Sequence, residues 1–276
     1  MAAPTFHISR FDPKSIERRR KKGSPPTCIF IGKRGTGKST LVADILYYIR
    51  KIPGGVVMSA TEEGNEFFQQ HVPDICIFNE YKKEKVSEIV EGQRKAVKEN
   101  KEKVNDIFLL LDDCMYDKKF LRSPDIRGIF MNGRHWKIML MITMQYCMDL
   151  PPDLRTNVDY VFALRENVIS TQKKLYNFFF GIFPEFNQFK QVFENFTEDF
   201  ECLVLDNTSR SNRIEDCVFW YKAKPNRKFR ACDKALWHYH KKNYNKEYWK
   251  TAEETEHKQN EKNRITIGVK REGKKK

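Results

Sequence analysis

Three groups of residues carry chemistry by type and spacing. Gly32-Lys33-Arg34-Gly35-Thr36-Gly37-Lys38-Ser39-Thr40 follows the apolar run Cys28 to Ile31 and has the glycine, lysine and hydroxyl spacing of a loop that wraps a phosphate chain. Glycines let such a loop curl with its N–H groups inward, and a helix starting near Lys38 adds its positive end. Lys38 is placed to reach β- and γ-phosphates and Ser39 to hold Mg²⁺. Asp112 and Asp113 close a second apolar run, Ile107 to Leu111. Mg²⁺ prefers oxygen ligands in octahedral array and keeps much of its water, so a strand-end carboxylate such as Asp112 suits it. Asp113 would face the space beyond the γ-phosphate, where a carboxylate orients and deprotonates water; the plain alternative is that it caps the next turn. Gln145 follows a third run, Ile138 to Thr143. An amide there can donate to a γ-phosphate and accept from the attacking water.

A guanidinium from a neighbouring subunit neutralises charge on a transferring phosphoryl group. Arg134, in Asn132-Gly133-Arg134-His135, is preferred for that place over Arg155 and Arg165, with surface ion pairing as the plain alternative. Cys232, His238 and His240 are too few and too loosely spaced to make a zinc site.

These residues need a scaffold that brings strand ends together. Short apolar runs at 28–31, 56–59, 75–78, 107–111, 138–142 and 160–164 alternate with longer, helix-permitting segments. That alternation predicts an α/β fold with a mainly parallel sheet flanked by helices. Lys82 to Lys103 reads as a long exposed helix, and the phenylalanines between Phe178 and Phe196 as core-facing helices, with a base-stacking or docking surface as the alternative. Cys202 to Leu205 and Cys217 to Tyr221 read as a hairpin closing one sheet edge, and a helix is expected from Asp233 to about Glu256.

The net charge of +14 is concentrated at the ends. Residues 1–26 carry seven Lys/Arg against two Asp/Glu, and residues 222–276 carry eighteen against seven. The division that follows is a basic N-terminal extension (1–26), a core (27–223) and a basic, partly helical C-terminal tail (224–276). Clustered cations displace counterions from a phosphate backbone, so the ends suggest polyanion contacts; solvated tails or a nuclear address would look the same, as at Arg18 to Lys22 and Lys274 to Lys276. Seven cysteines without a Cys-x-x-Cys pair suit a reducing compartment. No apolar stretch approaches about 18 residues and no secretory leader is visible, so a soluble, intracellular chain without membrane insertion is expected.

Taken together, the loop at 32–40, Asp112-Asp113, the 132–135 stretch, Gln145 with Leu150-Pro151-Pro152-Asp153-Leu154-Arg155, and the run Val218-Phe219-Trp220-Tyr221 resemble the DNA-packaging ATPases of nucleocytoplasmic large DNA viruses. These are similar to the poxvirus packaging ATPase and fall in the FtsK/HerA superfamily of P-loop NTPases. The resemblance covers about residues 27 to 223. It implies a RecA-like core with an extra strand between the nucleotide loop and the acidic strand, for which 56–59 and 75–78 are the candidates. It also implies ATP and Mg²⁺ as cofactors, a homo-oligomeric ring, double-stranded DNA as the transported partner, and capsid, portal or membrane-associated virion proteins at a host-cell assembly site. Asp113 stands where many superfamily members carry Glu. A P-loop nucleoside or nucleotide kinase, and a nucleotide-binding structural protein without turnover, are the alternative readings.

Overall fold

The computed structural model describes residues 5–114 and 120–245. Its strands are β1 (Ser9–Arg10), β2 (Thr27–Ile31), β3 (Gly54–Ser59), β4 (Ile77–Phe78), β5 (Ile107–Asp112), β6 (Ile138–Met144), β7 (Tyr160–Leu164), β8 (Glu201–Asp206) and β9 (Val218–Lys222). Its helices are α1 (Lys14–Lys21), α2 (Lys38–Tyr48), α3 (Glu62–Asn65), α4 (Lys83–Asn100), α5 (Pro124–Trp136), α6 (Pro152–Arg155), α7 (Ile169–Phe178), α8 (Phe186–Asn195), α9 (Ile214–Cys217) and α10 (Lys234–Asn243). The strands form one sheet in the order β1-β9-β8-β7-β2-β6-β5-β3-β4. Only β8 runs against its neighbours.

The central strands are unbroken apolar runs because helices cover both faces of the sheet. Successive side chains point to opposite faces, and the core divides accordingly. Ile29, Ile31, Leu109, Leu111, Leu140 and Ile142 pack with residues of α4, α5, α7 and α8. Phe30, Phe108, Leu110, Met139 and Met141 pack with residues of α1 and α2 on the other face. The expected long helix is present as α4, amphipathic and anchored by Val86 and Val90. Phe180, Phe183, Phe189 and Phe193 are buried in the first core, so the phenylalanine concentration is packing and not an exposed stacking face.

The candidate strand at 56–59 forms within β3, whereas of 75–78 only Ile77 and Phe78 pair, as β4, because Asp74–Cys76 is a turn of 3-10 helix; neither strand lies between the glycine-rich loop and the acidic strand in space. That place belongs to β6, which pairs with β2 on one side and β5 on the other. β3 and β4 continue the sheet beyond β5. Burial explains the choice: all seven residues of β6 are buried, whereas the two residues of β4 are only half-buried, as suits an edge.

The hairpin β8–β9 forms as expected, but the edge it was to close is extended by β1, which pairs Ser9 with Phe219 and Arg10 with Trp220. Phe11 then meets the rings of Tyr160, Phe162, Phe219 and Tyr221 at 5.6 to 6.1 Å. The basic run at Arg18 to Lys22 is largely occupied within the molecule. Arg19 pairs with Asp159 at 2.8 Å, and Arg20 with Glu17 at 2.7 Å and Asp106 at 3.0 Å. At the other end, Ala231 N–H donates to the His71 carbonyl at 2.8 Å and Asp233 N–H to that of Pro53 at 2.9 Å. The last helix, expected to run to about Glu256, ends at Asn243, where the backbone of Tyr244 turns extended with ψ of 124°; residues from 246 on, Lys274 to Lys276 among them, lie outside the described residues. No helix among the described residues is long and apolar enough to cross a membrane.

Phe11→Ala empties a buried aromatic site and should cost about 3–5 kcal/mol of stability in urea unfolding. A loss below about 0.5 kcal/mol, the range of an ordinary surface substitution, would detach residues 9–21 from the folded body.

Candidate active site

The carboxyl ends of β2, β3, β5 and β6 meet at one cavity of about 510 Å³, bounded by Lys38, Ser39, Thr40, Asp112, Asp113 and Gln145. In open α/β sheets this end of the strands is where ligands bind. Register places the acids. Ser59 pairs with Asp112 across β3 and β5, and Leu111 pairs with Ile142 across β5 and β6, which sets Thr143 beside Asp112. Both hydroxyls donate to the Asp112 carboxylate, each at 2.8 Å. Burial pushes the Asp112 carboxyl above its ordinary range, the two hydroxyls and Lys38 pull it back, and the charge of Asp113 adds to the rise.

Thr143 also accepts from the Asp113 N–H at 2.9 Å. The backbone of Asp113 is left-handed, with φ of 52°, an uncommon state for a residue with a side chain. The bond from its N–H helps hold that turn, and it leaves the carboxylate facing the cavity, where Gln145 Nε2 donates to it at 3.2 Å.

The glycine-rich loop leaves β2 and enters α2, with Gly37 at φ of 93° on the junction. A side chain at Gly32 would come within 2.7 Å of Thr36 Oγ1 and 2.9 Å of Leu164 Cβ, so only glycine fits there. Of the loop residues expected to bind phosphate, Gly32, Lys33 and Thr36 do not line the cavity, because their groups are engaged within the protein. Gly32 N–H donates to the Met144 carbonyl at 3.1 Å and Thr36 Oγ1 to that of Lys33 at 2.8 Å. Lys33 turns its side chain to the buried Glu166 at 2.6 Å. Lys38 Nζ donates to the carbonyls of Gly32 at 2.6 Å and Lys33 at 3.1 Å. Burial lowers its pKa, while Asp113 and Asp112 oppose that shift.

No family model matches the chain. An uncharacterized protein of Acanthamoeba polyphaga mimivirus is 37% identical over 231 residues, which are 81% of this chain and 81% of that one. An uncharacterized protein of Invertebrate iridescent virus 6 is 38% identical over 198 residues, covering 70% of this chain and 75% of that one. Among solved structures, the DNA-packaging ATPase from Sulfolobus turreted icosahedral virus superposes with a TM-score of 0.52 at 18% identity, covering 74% of this chain and 100% of that one. The genome packaging NTPase from Sulfolobus turreted icosahedral virus 2, solved with ATP-γS, gives 0.50 at 15% identity over 73% of this chain and 97% of that one. The chain belongs to one family with these proteins of large DNA viruses. At these identities the structural likeness speaks for the fold alone, which is that of a P-loop NTPase.

None of the three arginine candidates lines the cavity; the arginine that does is Arg34 of the glycine-rich loop. Arg134 is exposed on the last turn of α5 and does not line the cavity. Arg155 is occupied, donating to the Leu150 carbonyl at 2.9 Å and lying 3.7 Å over the Phe178 ring. Arg165 lines a smaller neighbouring cavity with Gly35, Thr36 and Phe200. Five residues of the site escaped the sequence reading: Ser59, Thr61, Asn65, Thr143 and Phe200. Ser59 and Thr143 end apolar runs and were visible as strand ends, but their bonds to Asp112 depend on strand order. Phe200, 68% exposed at φ of 63° and packed beside Gly37, carries no motif.

Because the Asp112 pKa is raised on folding, its ionised form costs stability, and that cost grows as pH rises from about 4. Asp112→Asn should therefore unfold at pH 7 no lower than the parent, with the difference narrowing toward pH 4 in thermal melts. A lower unfolding temperature at pH 7 would mean that the two hydroxyl bonds outweigh desolvation. Thr143→Val strips the Asp113 N–H and Asp112 of a partner and should cost about 1–3 kcal/mol.

Proposed function

We propose that the chain hydrolyses ATP and uses the energy to move double-stranded DNA into a forming capsid. The observation that carries this is the convergence of Lys38, Asp112, Asp113 and Gln145 on one cavity from three adjacent strands. The oxygen donors fit Mg²⁺: Ser39 and the Asp112 carboxylate face the same space, and the latter is held by two hydroxyls. Mg²⁺ would there neutralise charge shared between the β- and γ-phosphates. Backbone N–H groups from Gly35 to Thr40 cradle the phosphates, and Lys38 exchanges its carbonyl partners for phosphate oxygens.

Asp113 accepts the proton of the attacking water, and Gln145, already bonded to that carboxylate, orients the water and senses the γ-phosphate. Arg134 is exposed and outside its own cavity, which is compatible with the role assigned to it here, service to the site of a neighbouring subunit in a homo-oligomeric ring. Five cations, Arg50, Lys51, Arg230, Lys234 and Lys241, border a cavity of about 840 Å³ beyond the far end of α2, and none forms an ion pair among the described residues. Such a surface suits a phosphate backbone. The setting is the viral assembly site in a host cell, with capsid, portal or membrane-associated virion proteins as docking partners.

Phosphate release measured at low salt with and without duplex DNA tests this reading. DNA should raise the rate, and Lys38→Ala or Asp113→Asn should lower it about 10²- to 10³-fold. Equal rates with and without DNA would defeat the motor, and labelled phosphate on a nucleotide acceptor would make the chain a kinase. Arg134→Ala and Asp112→Asn chains, each inactive alone, should regain part of the rate when mixed, because mixed rings contain sites with both groups intact. No recovery in mixed rings would remove Arg134 from the site between subunits.

A further inference from the structure

Thr40 borders two cavities. One is the phosphate site; the other, of about 290 Å³, lies over the outer side of α2 and is lined by Phe67, Gln70, His71, Asn226 and Arg227. We infer that this second cavity takes the base and ribose of the nucleotide whose phosphates occupy the first. The inference rests on the nucleotide reading given above and adds the part of the molecule that selects which nucleotide binds.

The direction of the phosphate chain leads there. Lys38, Asp113 and Gln145 mark the γ end of the site, so the α-phosphate and the nucleoside leave past Ser39 and Thr40 at the start of α2. The cavity that meets them at Thr40 has an aromatic wall and amide groups, as a site for a flat, hydrogen-bonding ligand should. Phe67 offers a half-buried ring, set edge-on to Phe68 at 5.1 Å and to His71 at 5.9 Å. His71 is itself fixed, stacked on Phe229 at 4.3 Å. Gln70 and Asn226 carry amides that can each give and accept a hydrogen bond, the pairing that suits the edge of adenine. The other cavity beside the loop, with Arg165, Asp199 and Phe200, is about 160 Å³ and meets the loop at Gly35 and Thr36, on the wrong side of Lys38 for the nucleoside.

The wall is fastened to the helix that binds the phosphates. Asp44 of α2, fully buried, receives the Tyr221 hydroxyl at 2.5 Å and the Lys224 N–H at 3.1 Å, and forms an ion pair with Arg227. Arg227 in turn lies 3.9 Å over the Tyr47 ring. The segment bearing Asn226 is thus set relative to Thr40 before any nucleotide arrives, which lowers the ordering cost of binding.

Binding of ADP and of pyrophosphate to the full chain separates base from phosphate contacts. Phe67→Leu, Gln70→Ala and Asn226→Gly are the variants; glycine at 226 removes the amide while permitting its φ of 54°. ADP affinity should fall about tenfold in at least Phe67→Leu and Asn226→Gly while pyrophosphate affinity stays within about twofold. Unchanged ADP binding in all three, or an equal loss for ADP and pyrophosphate, would overturn the inference. A chain that shows this split yet releases no phosphate keeps the base site and loses the hydrolase. A chain that hydrolyses ATP normally with ADP binding untouched by the three changes loses the base site alone.

Discussion

One buried hydroxyl holds the chemistry of this site together. Thr143 is fully buried at the end of β6; it donates to Asp112 and accepts from the backbone of Asp113. Two neighbouring carboxylates in a half-dry pocket repel each other, and burial raises the cost of ionising the inner one. The Thr143 hydroxyl offsets that cost for Asp112 and at the same time fixes the turn that swings Asp113 outward. Ser59 completes the support from the other flank of β5. The strand order β6-β5-β3 is therefore part of the chemistry and not only of the core: any other neighbour for β5 would leave a buried acid without donors.

The glycine-rich loop obeys a related constraint. A lysine ammonium at the head of α2 is partly desolvated, which lowers its pKa, and it satisfies its donors on two carbonyls of its own loop. Those bonds hold the side chain folded back on its own loop beside the cavity. Lys33, bound to the buried Glu166, ties the same loop to the end of β7. The loop is braced by β6 through Gly32 and by β7 through Lys33, and the P-loop conformation follows from the two strands that flank β2.

Helix α2 joins the two ends of the chain's architecture. Its amino end supplies Lys38, Ser39 and Thr40, and its buried Asp44 collects Tyr221 of β9 and residues of the segment that follows it. Burying a carboxylate on a helix face is costly without partners, and Tyr221, Lys224 and Arg227 supply them. That requirement draws the basic C-terminal segment across the helix, where it meets His71 and closes the second cavity. β8 and β9, which give no residue to the cavity at the strand ends, matter because they deliver this segment.

Residue order along the chain determined the loop at 32–40, the acids at 112 and 113, the amide at 145 and the alternation of apolar runs, since each depends on local spacing or on burial of both faces of a strand. Those features were enough to give the α/β class and to name Lys38, Ser39, Thr40, Asp112, Asp113 and Gln145, which the structure gathers at one cavity. Tertiary structure alone decided that β6 and not β3 or β4 stands beside the nucleotide strand, that Ser59 and Thr143 serve Asp112, that Arg19 and Arg20 are occupied by Asp159 and Asp106, and that Phe11 belongs to the core. The reason is common to all four. Pairing between strands far apart in sequence, and ion pairs across 86 to 140 residues, leave no period or spacing in the chain; they arise only when the sheet has chosen its order and the buried charges have found partners.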